Sequence, residues 1–250
     1  MKERYFNIMF SLLIAFAIIV LLAFVAMVLP AGSTGHRIIV MLGGELPGGF
    51  IQGVTYFLFF FGIFEILKMS KKVKNEEKSF TMDLLPETEQ LVLSPEDVAR
   101  IKLSMIEIER KHPFILVNLI KKACTKFRSS YSISETLDMV SKQAEINFRN
   151  SDSEQSIIRY TAWAIPSIGF VGTVIGIAAS LGAASSAVSA AGIERVTGLL
   201  NIAFDTTLVA LILSMILMFM YHNFQEANEK LHAKIETYVL DNLVNRIYHT

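Results

Sequence analysis

The sequence is poor in cysteine and in charge. Its 250 residues include one cysteine, Cys124, so an intrachain disulfide is excluded and a cysteine-based metal cluster is not expected. Charged residues make up 18% of the chain, well below the roughly 25% of soluble domains. Lysine plus arginine and aspartate plus glutamate number 23 each, so no basic field predicts nucleic acid as a partner.

Motifs of nucleotide-dependent and metal-dependent enzymes are absent as well. The chain has no P-loop, no dinucleotide-binding glycine motif and no zinc-binding spacing. Its five histidines do not cluster, and no nucleophile and base fall within one predicted site. We therefore predict no catalytic residue, no metal and no cofactor, and an enzyme is the least favoured class.

Long apolar runs are what the chain does have. Hydrophobic residues make up 52% of it, and the mean hydropathy is +0.47. A helix needs about 20 mostly apolar residues to cross a bilayer. Four segments qualify, at 6–30, 49–67, 160–191 and 197–221. The predicted fold is an all-α membrane protein with four transmembrane helices, a helical cytoplasmic insert and a C-terminal cytoplasmic helix.

Cations flank these spans mainly on one side, and the two short connecting loops hold only Arg37 and Arg195. The positive-inside rule therefore places both termini and the middle region in the cytoplasm. The first apolar run is about twice as long as a signal-peptide core, which favours a retained signal-anchor. The predicted divisions are 1–69, 70–159, 160–221 and 222–250.

Helix signals recur in the cytoplasmic insert. Ser94 and Asp97 fit an N-cap and its third helical position, and Pro113 should interrupt the helix that they begin. Ser132 and Glu135 form a capping-box pattern that predicts another helix. That helix is compatible with continuation into the third span, with a bend near Pro166. Residues 31–49, rich in glycine, are predicted to form a short outer loop.

Small residues follow one face of the third span at steps of three and four. Small residues let helix backbones approach closely, and a threonine there can bond back to a carbonyl one turn earlier. A polar lane that faces water is the alternative interpretation. The residues on this face are Gly169, Gly172, Thr173, Gly176, Ser180 and Ala183.

The fourth span carries the second polar group. Thr207, Ala210 and Ser214 share a face, and Asp205 and Thr206 lie on either side of it. An unpaired carboxylate inside a span is costly, and no cation lies at matching depth in the other spans. We expect Asp205 to be protonated, hydrated, near a helix end or paired with another chain. It either fixes packing or lies in or beside a cation path of hydroxyls and carboxylates.

Two segments resemble the MotA/TolQ/ExbB proton channel family. Residues 165–176 read Ile-Pro-Ser-Ile-Gly-Phe-Val-Gly-Thr-Val-Ile-Gly, similar to the family's Ala-Pro-x-x-Gly-Leu-x-Gly-Thr-Val-x-Gly. Residues 203–211, Ala-Phe-Asp-Thr-Thr-Leu-Val-Ala-Leu, resemble its last span. The specific resemblance covers about 159–223. The order of two spans, insert and two spans is more similar to four-span motor stators than to ExbB and TolQ.

The resemblance implies the ion-conducting subunit, for protons or sodium, of a motor in the bacterial inner membrane. A pentamer of this chain would surround a dimer of an ExbD/TolR/MotB-like partner, which has one span bearing an aspartate. Thr173 matches one pore threonine, and the other maps to Thr206 or Thr207. ExbB and TolQ carry a glutamate early in the last span, where this chain has Asn201 or Ile202. The rival functions are a non-conducting membrane scaffold and a small four-helix transporter.

The candidate residues form two sets. The ion-pathway set is Thr173, Thr206, Thr207, Asp205 and Ser214. The packing or pore-lining set is Pro166, Gly169, Gly172, Gly176 and Ala210.

Overall fold

A computed structural model describes residues 2–45, 48–87, 92–184 and 189–248. Within these ranges the chain is helical and contains no strand, which confirms the all-α prediction. Four helical stretches are long and apolar enough to cross a membrane. The helices are α1 (Lys2–Val28), α2 (Thr34–Ile39), α3 (Gly48–Glu77), α4 (Pro95–Lys111), α5 (Ile115–Ser130), α6 (Ile133–Glu154), α7 (Ser156–Ala184) and α8 (Ala190–Asn242).

The chain forms two compact units, and each joins stretches that are distant in sequence. The first unit takes in the chain up to Leu67 together with Ser156–His222. The second takes in Lys68–Gln155 together with the chain from Asn223 onward. The membrane-length apolar segments, including the two that carry polar residues, belong to the first unit.

In the first unit, α1 packs lightly and keeps most of its apolar side chains exposed. Phe16 and Phe24 are among them, as expected of a helix that meets lipid. Its inner face meets α3 and α8 around Tyr56 and Val209. Glu65 of α3 is only 1% exposed and accepts a hydrogen bond of 2.9 Å from Asn7 Nδ2. This bond gives a buried acid a partner and ties α1 to α3.

The segment predicted as an outer loop is largely helical. Ser33 caps α2 by accepting a hydrogen bond from the backbone N–H of His36. A π-helical turn, Val40–Gly44, follows, with Gly43 at φ 108°, a conformation that favours glycine. Side chains of α3 hold this turn, since Gln52 donates to the carbonyl of Met41 and Tyr56 to that of Leu42. Pro47 lies outside the described residues.

The second unit follows the helix signals of the insert closely. Ser94 and Asp97 form a complete capping box at the start of α4. On either side of Pro113, α4 ends at Lys111 and α5 begins at Ile115. Glu76 of α3 accepts a 2.8 Å hydrogen bond from the backbone N–H of Ile115 and so satisfies an open donor at the α5 N-terminus. The core beneath is aliphatic and aromatic: Val98, Met105, Leu116, Ile120, Phe127, Val140 and Ile235.

The predicted continuation of the insert helix into the third span is interrupted before the span begins. Helix α6 ends at Glu154, and Gln155 separates it from α7. Pro166 lies inside α7, which continues for 18 further residues to Ala184. A proline need not end a helix when another group satisfies the carbonyl that it leaves without a donor. Here that group is the Ser214 hydroxyl of α8.

Candidate functional site

The glycine stripe of α7 lies against α8 in the first unit. A Cβ atom added at Gly169 would lie 2.5 Å from Ala210 Cβ, and one added at Gly176 would lie 2.6 Å from Ala203 Cβ. These spacings leave no room for any side chain, so the two backbones approach closely. Further along, Ser180 donates a 3.1 Å hydrogen bond to the carbonyl of Val196 across the same interface.

Two threonine hydroxyls meet at this interface. Thr173 of α7 donates to the Ala203 carbonyl of α8 at 3.0 Å, and Thr207 of α8 donates to the Gly169 carbonyl of α7 at 2.9 Å. The two Oγ1 atoms also lie within hydrogen-bond distance of each other, and because each hydroxyl has one proton, only two of these three bonds form at a time. Both side chains are half-buried. The pair therefore presents hydroxyl lone pairs, which can accept a proton donor or coordinate a cation, at a partly open face.

Thr206 occupies a different environment from its neighbour Thr207. Its side chain is 1% exposed, and its hydroxyl bonds back to the Ala203 carbonyl of its own helix at 2.9 Å. A Cβ atom added at Gly172 would lie 2.5 Å from Thr206 Oγ1, so this threonine fills the space above that glycine. The geometry thus brings Thr207, and not Thr206, to Thr173.

Ser214 of α8 supplies a hydrogen bond that the backbone of α7 lacks. Pro166 has no N–H, so the carbonyl four residues earlier, that of Ala162, loses its helical donor. Ser214 Oγ donates a 3.1 Å hydrogen bond to that carbonyl from α8. The serine is 8% exposed. Its position explains why α7 passes through Pro166, and it gives Ser214 a packing role apart from the hydroxyl pair.

Asp205 is paired within its own chain, contrary to the expectation from the sequence. Arg37 of α2 donates through Nη1 and Nη2 to the two carboxylate oxygens of Asp205, at 2.6 and 2.8 Å. These hydrogen bonds are the main reason why the pKa of the Arg37 guanidinium is raised. Asp205 is only 6% exposed, so a paired charge replaces the costly isolated one.

Arg37 lies outside the four apolar spans, so a search for cations within the spans does not find the partner of Asp205. The two residues are 168 positions apart, and the arginine lies in a segment that had been interpreted as an outer loop. One signal was present, because Arg37 is one of only two cations in the short loops. An isolated cation beside a span that holds an isolated acid is a pair to test.

A separate polar cavity of about 200 Å³ lies within the second unit. The Nδ2 atoms of Asn147 and Asn228 are buried there without a hydrogen-bond partner among the described residues. Ser151 donates to the Oδ1 atom of Asn228 at 2.9 Å. Ordered water commonly satisfies such amides in a cavity of this size. Across the part of the chain that the structure describes, no cluster of three metal-ligating side chains occurs.

Comparison with known proteins points to one family. The profile of the MotA/TolQ/ExbB proton channel family matches residues 112–237, half of the chain. The match includes the whole glycine stripe, both threonines of the hydroxyl pair and Asp205. No curated protein and no solved structure matches the chain.

Proposed function

The chain belongs to the MotA/TolQ/ExbB proton channel family, and on this basis we propose that it is the ion-conducting subunit of a membrane motor. Family membership and four membrane-length helices make it a multi-pass membrane protein with an ion-channel role. The finer proposal is a homopentamer around two copies of a single-span partner. Proton or sodium flow between them drives mechanical work.

The hydroxyl pair of Thr173 and Thr207 is the observation that carries this proposal. It lies at a helix interface where α7 has no charged side chain between Tyr160 and Ala184. Both hydroxyls are partly exposed, so a neighbouring helix can reach them. Hydroxyls and water at such a place suit the passage of a small cation.

The two acids in the chain's own spans already have partners, which supports a titrating carboxylate that comes from another chain. Asp205 is engaged by Arg37, and Glu65 accepts a hydrogen bond from Asn7. The partner would supply the acid from its single span. Each elementary charge that crosses 100 mV releases about 2.3 kcal/mol, so several ions per step provide enough free energy for a conformational change.

We place the protein in the bacterial inner membrane with both termini in the cytoplasm. Cations flank the ends of the spans on that side, and Arg37 and Arg195 are the cations of the short loops. Arg37 is bound to Asp205, so its charge is already compensated at the outer face.

A non-conducting scaffold is the second candidate. Three glycines of the stripe, Gly169, Gly172 and Gly176, lie directly against residues of α8 in the same chain. The stripe therefore serves helix packing in either function. A scaffold requires nothing of the threonine hydroxyls beyond these interhelical bonds. A small transporter would require no second subunit. The two rivals therefore differ from the motor in measurable ways.

The test replaces threonine by valine, which removes the hydroxyl and keeps the shape of the side chain. Thr173→Val and Thr207→Val should each abolish proton or sodium flux into vesicles that hold the complete chain with its co-purifying single-span partner. Thr197→Val is the matched control. Thr197 is exposed on α8, the helix of Thr207, and its hydroxyl donates only to the carbonyls of Ile193 and Glu194 in the preceding turn. Native mass spectrometry of each preparation reports whether the assembly is intact.

Four outcomes would count against the proposal. Absence of flux through the assembled wild type would favour the scaffold, and a monomer or dimer without a second subunit would favour the transporter. Unchanged flux in both valine variants would remove the hydroxyl pair from the ion path. Loss of flux in Thr206→Val alone would transfer the pore role from Thr207 to Thr206.

A further inference from the structure

Both oxygens of the Asp205 carboxylate are occupied by one guanidinium. The bidentate geometry, at 2.6 and 2.8 Å, is the strongest arrangement available to an arginine and a carboxylate. Asp205 directly precedes Thr206 and Thr207, so this pair lies within one helical turn of the hydroxyl pair. A cation that entered there would meet a carboxylate that is already neutralised.

Arg37 is itself held in place by the surrounding helices. Ser33 caps the short helix that carries it, and His36 Nδ1 lies 3.2 Å from the Ala26 carbonyl of α1. The π-helical turn that follows is bound to α3 through Gln52 and Tyr56. The guanidinium therefore reaches Asp205 from an anchored segment.

Few other charges face this pair. On the outer segment, His36 Nε2 lies 3.4 Å from a carboxylate oxygen of Glu45, and Tyr56 is the titratable group on the adjoining part of α3. Glu194 and Arg195 of α8 are about three turns away. Within the described spans, α1 from Phe6 to Val28 and α7 from Thr161 to Ala184 carry no titratable side chain.

We propose that Arg37 is a positioning residue of the ion path. It holds Asp205 as an occupied, neutralised carboxylate, so that Asp205 does not bind the transported ion. Ion binding is then confined to the hydroxyls of Thr173 and Thr207 and to the acid of another chain. This inference rests on the proposed function for its link to conduction, but the charge state of Asp205 can be tested without it.

The consequence of losing Arg37 follows from the burial of Asp205. A carboxylate that is 6% exposed and has lost its cation must take up a proton or bind an ion from the path. Each chain of the assembly would thereby gain a titrating group beside the hydroxyl pair. Losing Asp205 instead would leave an uncompensated positive charge there, which repels cations but does not titrate.

Infrared spectroscopy of the complete chain in bilayers tests the charge state. The difference spectrum between the wild type and Asp205→Asn should show an ionised carboxylate at neutral pH. In the Arg37→Gln background the same comparison should show a carboxylic acid band that titrates. A protonated Asp205 in the wild type would overturn the proposal, and this measurement needs neither the partner nor any flux.

Ion flux in vesicles with the co-purified partner tests the link to conduction. Arg37→Gln should lose most of the flux and acquire a new pH dependence, whereas Asp205→Asn should lose flux without one. The double variant should recover the wild-type flux and pH profile, and Arg37→Lys should retain part of the flux. If the Arg37–Asp205 pair were purely structural, the single variants would contain less assembled protein but would show no new pH dependence of flux.

The outcomes separate this inference from the proposed function. If the wild type conducts and both single variants match it in flux and pH profile, the role of Arg37 is refuted while the channel stands. If the wild type with its partner conducts no ion, the proposed function fails, and the infrared result still decides the state of Asp205. If Arg37→Gln does not accumulate, Asp205→Asn and the double variant decide the test.

Discussion

At the scale of single residues, the contact between α7 and α8 depends on exchanged backbone bonds. Two threonines and two serines donate to carbonyls of the opposite helix, at Ala203, Gly169, Ala162 and Val196. In lipid no water replaces a lost donor, so each bond matters to the stability of the helix pair. The Ser214 bond differs from the other three because Pro166 creates the need for it.

A double-mutant cycle tests that coupling. Ser214→Ala should destabilise the chain by about 0.5–1.5 kcal/mol, the usual range for interhelical hydrogen bonds in membranes. In a Pro166→Ala background the same change should cost much less, because residue 166 then donates to the Ala162 carbonyl itself. Reversible unfolding in mixed detergent micelles provides both free energies. Equal costs in the two backgrounds would show that the proline and the serine are independent.

At the scale of elements, polar side chains near helix ends hold the second unit together. Glu109, near the end of α4, accepts hydrogen bonds from Lys121 and from Asn118 of α5, the latter at 2.8 Å. Lys121 chiefly, and Asn118 next, lower the pKa of the Glu109 carboxyl. The short connection around Pro113 therefore gains a bridge between the two helices that it joins.

This bridge predicts a pH dependence. Because the folded-state pKa of Glu109 is lowered, its stabilisation is present above the ordinary glutamate pKa of 4.5 and is lost as pH falls through the lowered value. Glu109→Gln should therefore lower the thermal unfolding midpoint near neutral pH and flatten its decline in acid. Circular dichroism of the complete chain in detergent measures both effects.

Glu107→Gln is the matched control for that measurement. Glu107 is exposed on the same helix and makes no hydrogen bond or ion pair among the described residues. An acid profile that changes equally in the two variants would assign the effect to total charge and not to the bridge.

At the scale of the whole molecule, the two units contain different kinds of surface. The first exposes large apolar side chains along its membrane-length helices, and the second exposes charged ones. The single thiol lies in the second unit, where Cys124 is fully buried and burial raises its pKa to about 12. The native chain should therefore react very little with thiol reagents, because these reagents attack the thiolate form.

Because Cys124 is unreactive, cysteines introduced at other positions can report the membrane orientation without replacement of Cys124. Thr34→Cys and Thr237→Cys place thiols at exposed positions of α2 and α8. With a membrane-impermeant maleimide on intact spheroplasts, Thr34→Cys should be labelled and Thr237→Cys should be labelled only after lysis. The wild type should stay unlabelled in both conditions. The opposite pattern would invert the proposed topology.

Local signals in the sequence were enough to predict much of this fold. The N-cap at Ser94, the break at Pro113 and the four apolar runs are all signals from residues that are near each other in sequence, and each appears in the structure. The outer segment was mistaken for a loop because its glycines suggested turns, whereas contacts with α3 stabilise a helix and a π-helical turn. The continuous helix from the insert into the third span was also wrong, since α6 ends at Glu154. The sequence does not reveal that Ser214 donates to the carbonyl that Pro166 leaves without a helical donor.

By itself, the sequence determined the helices, the face of small residues on α7 and the threonines that make these two spans notable, because periodicity and composition are properties of neighbouring residues. Only the tertiary structure decided that Thr207 and not Thr206 meets Thr173, that Ser214 serves the backbone, and that Arg37 neutralises Asp205. Those decisions depend on which faces two helices turn toward each other and on a pairing across 168 positions. Packing of the whole unit sets both.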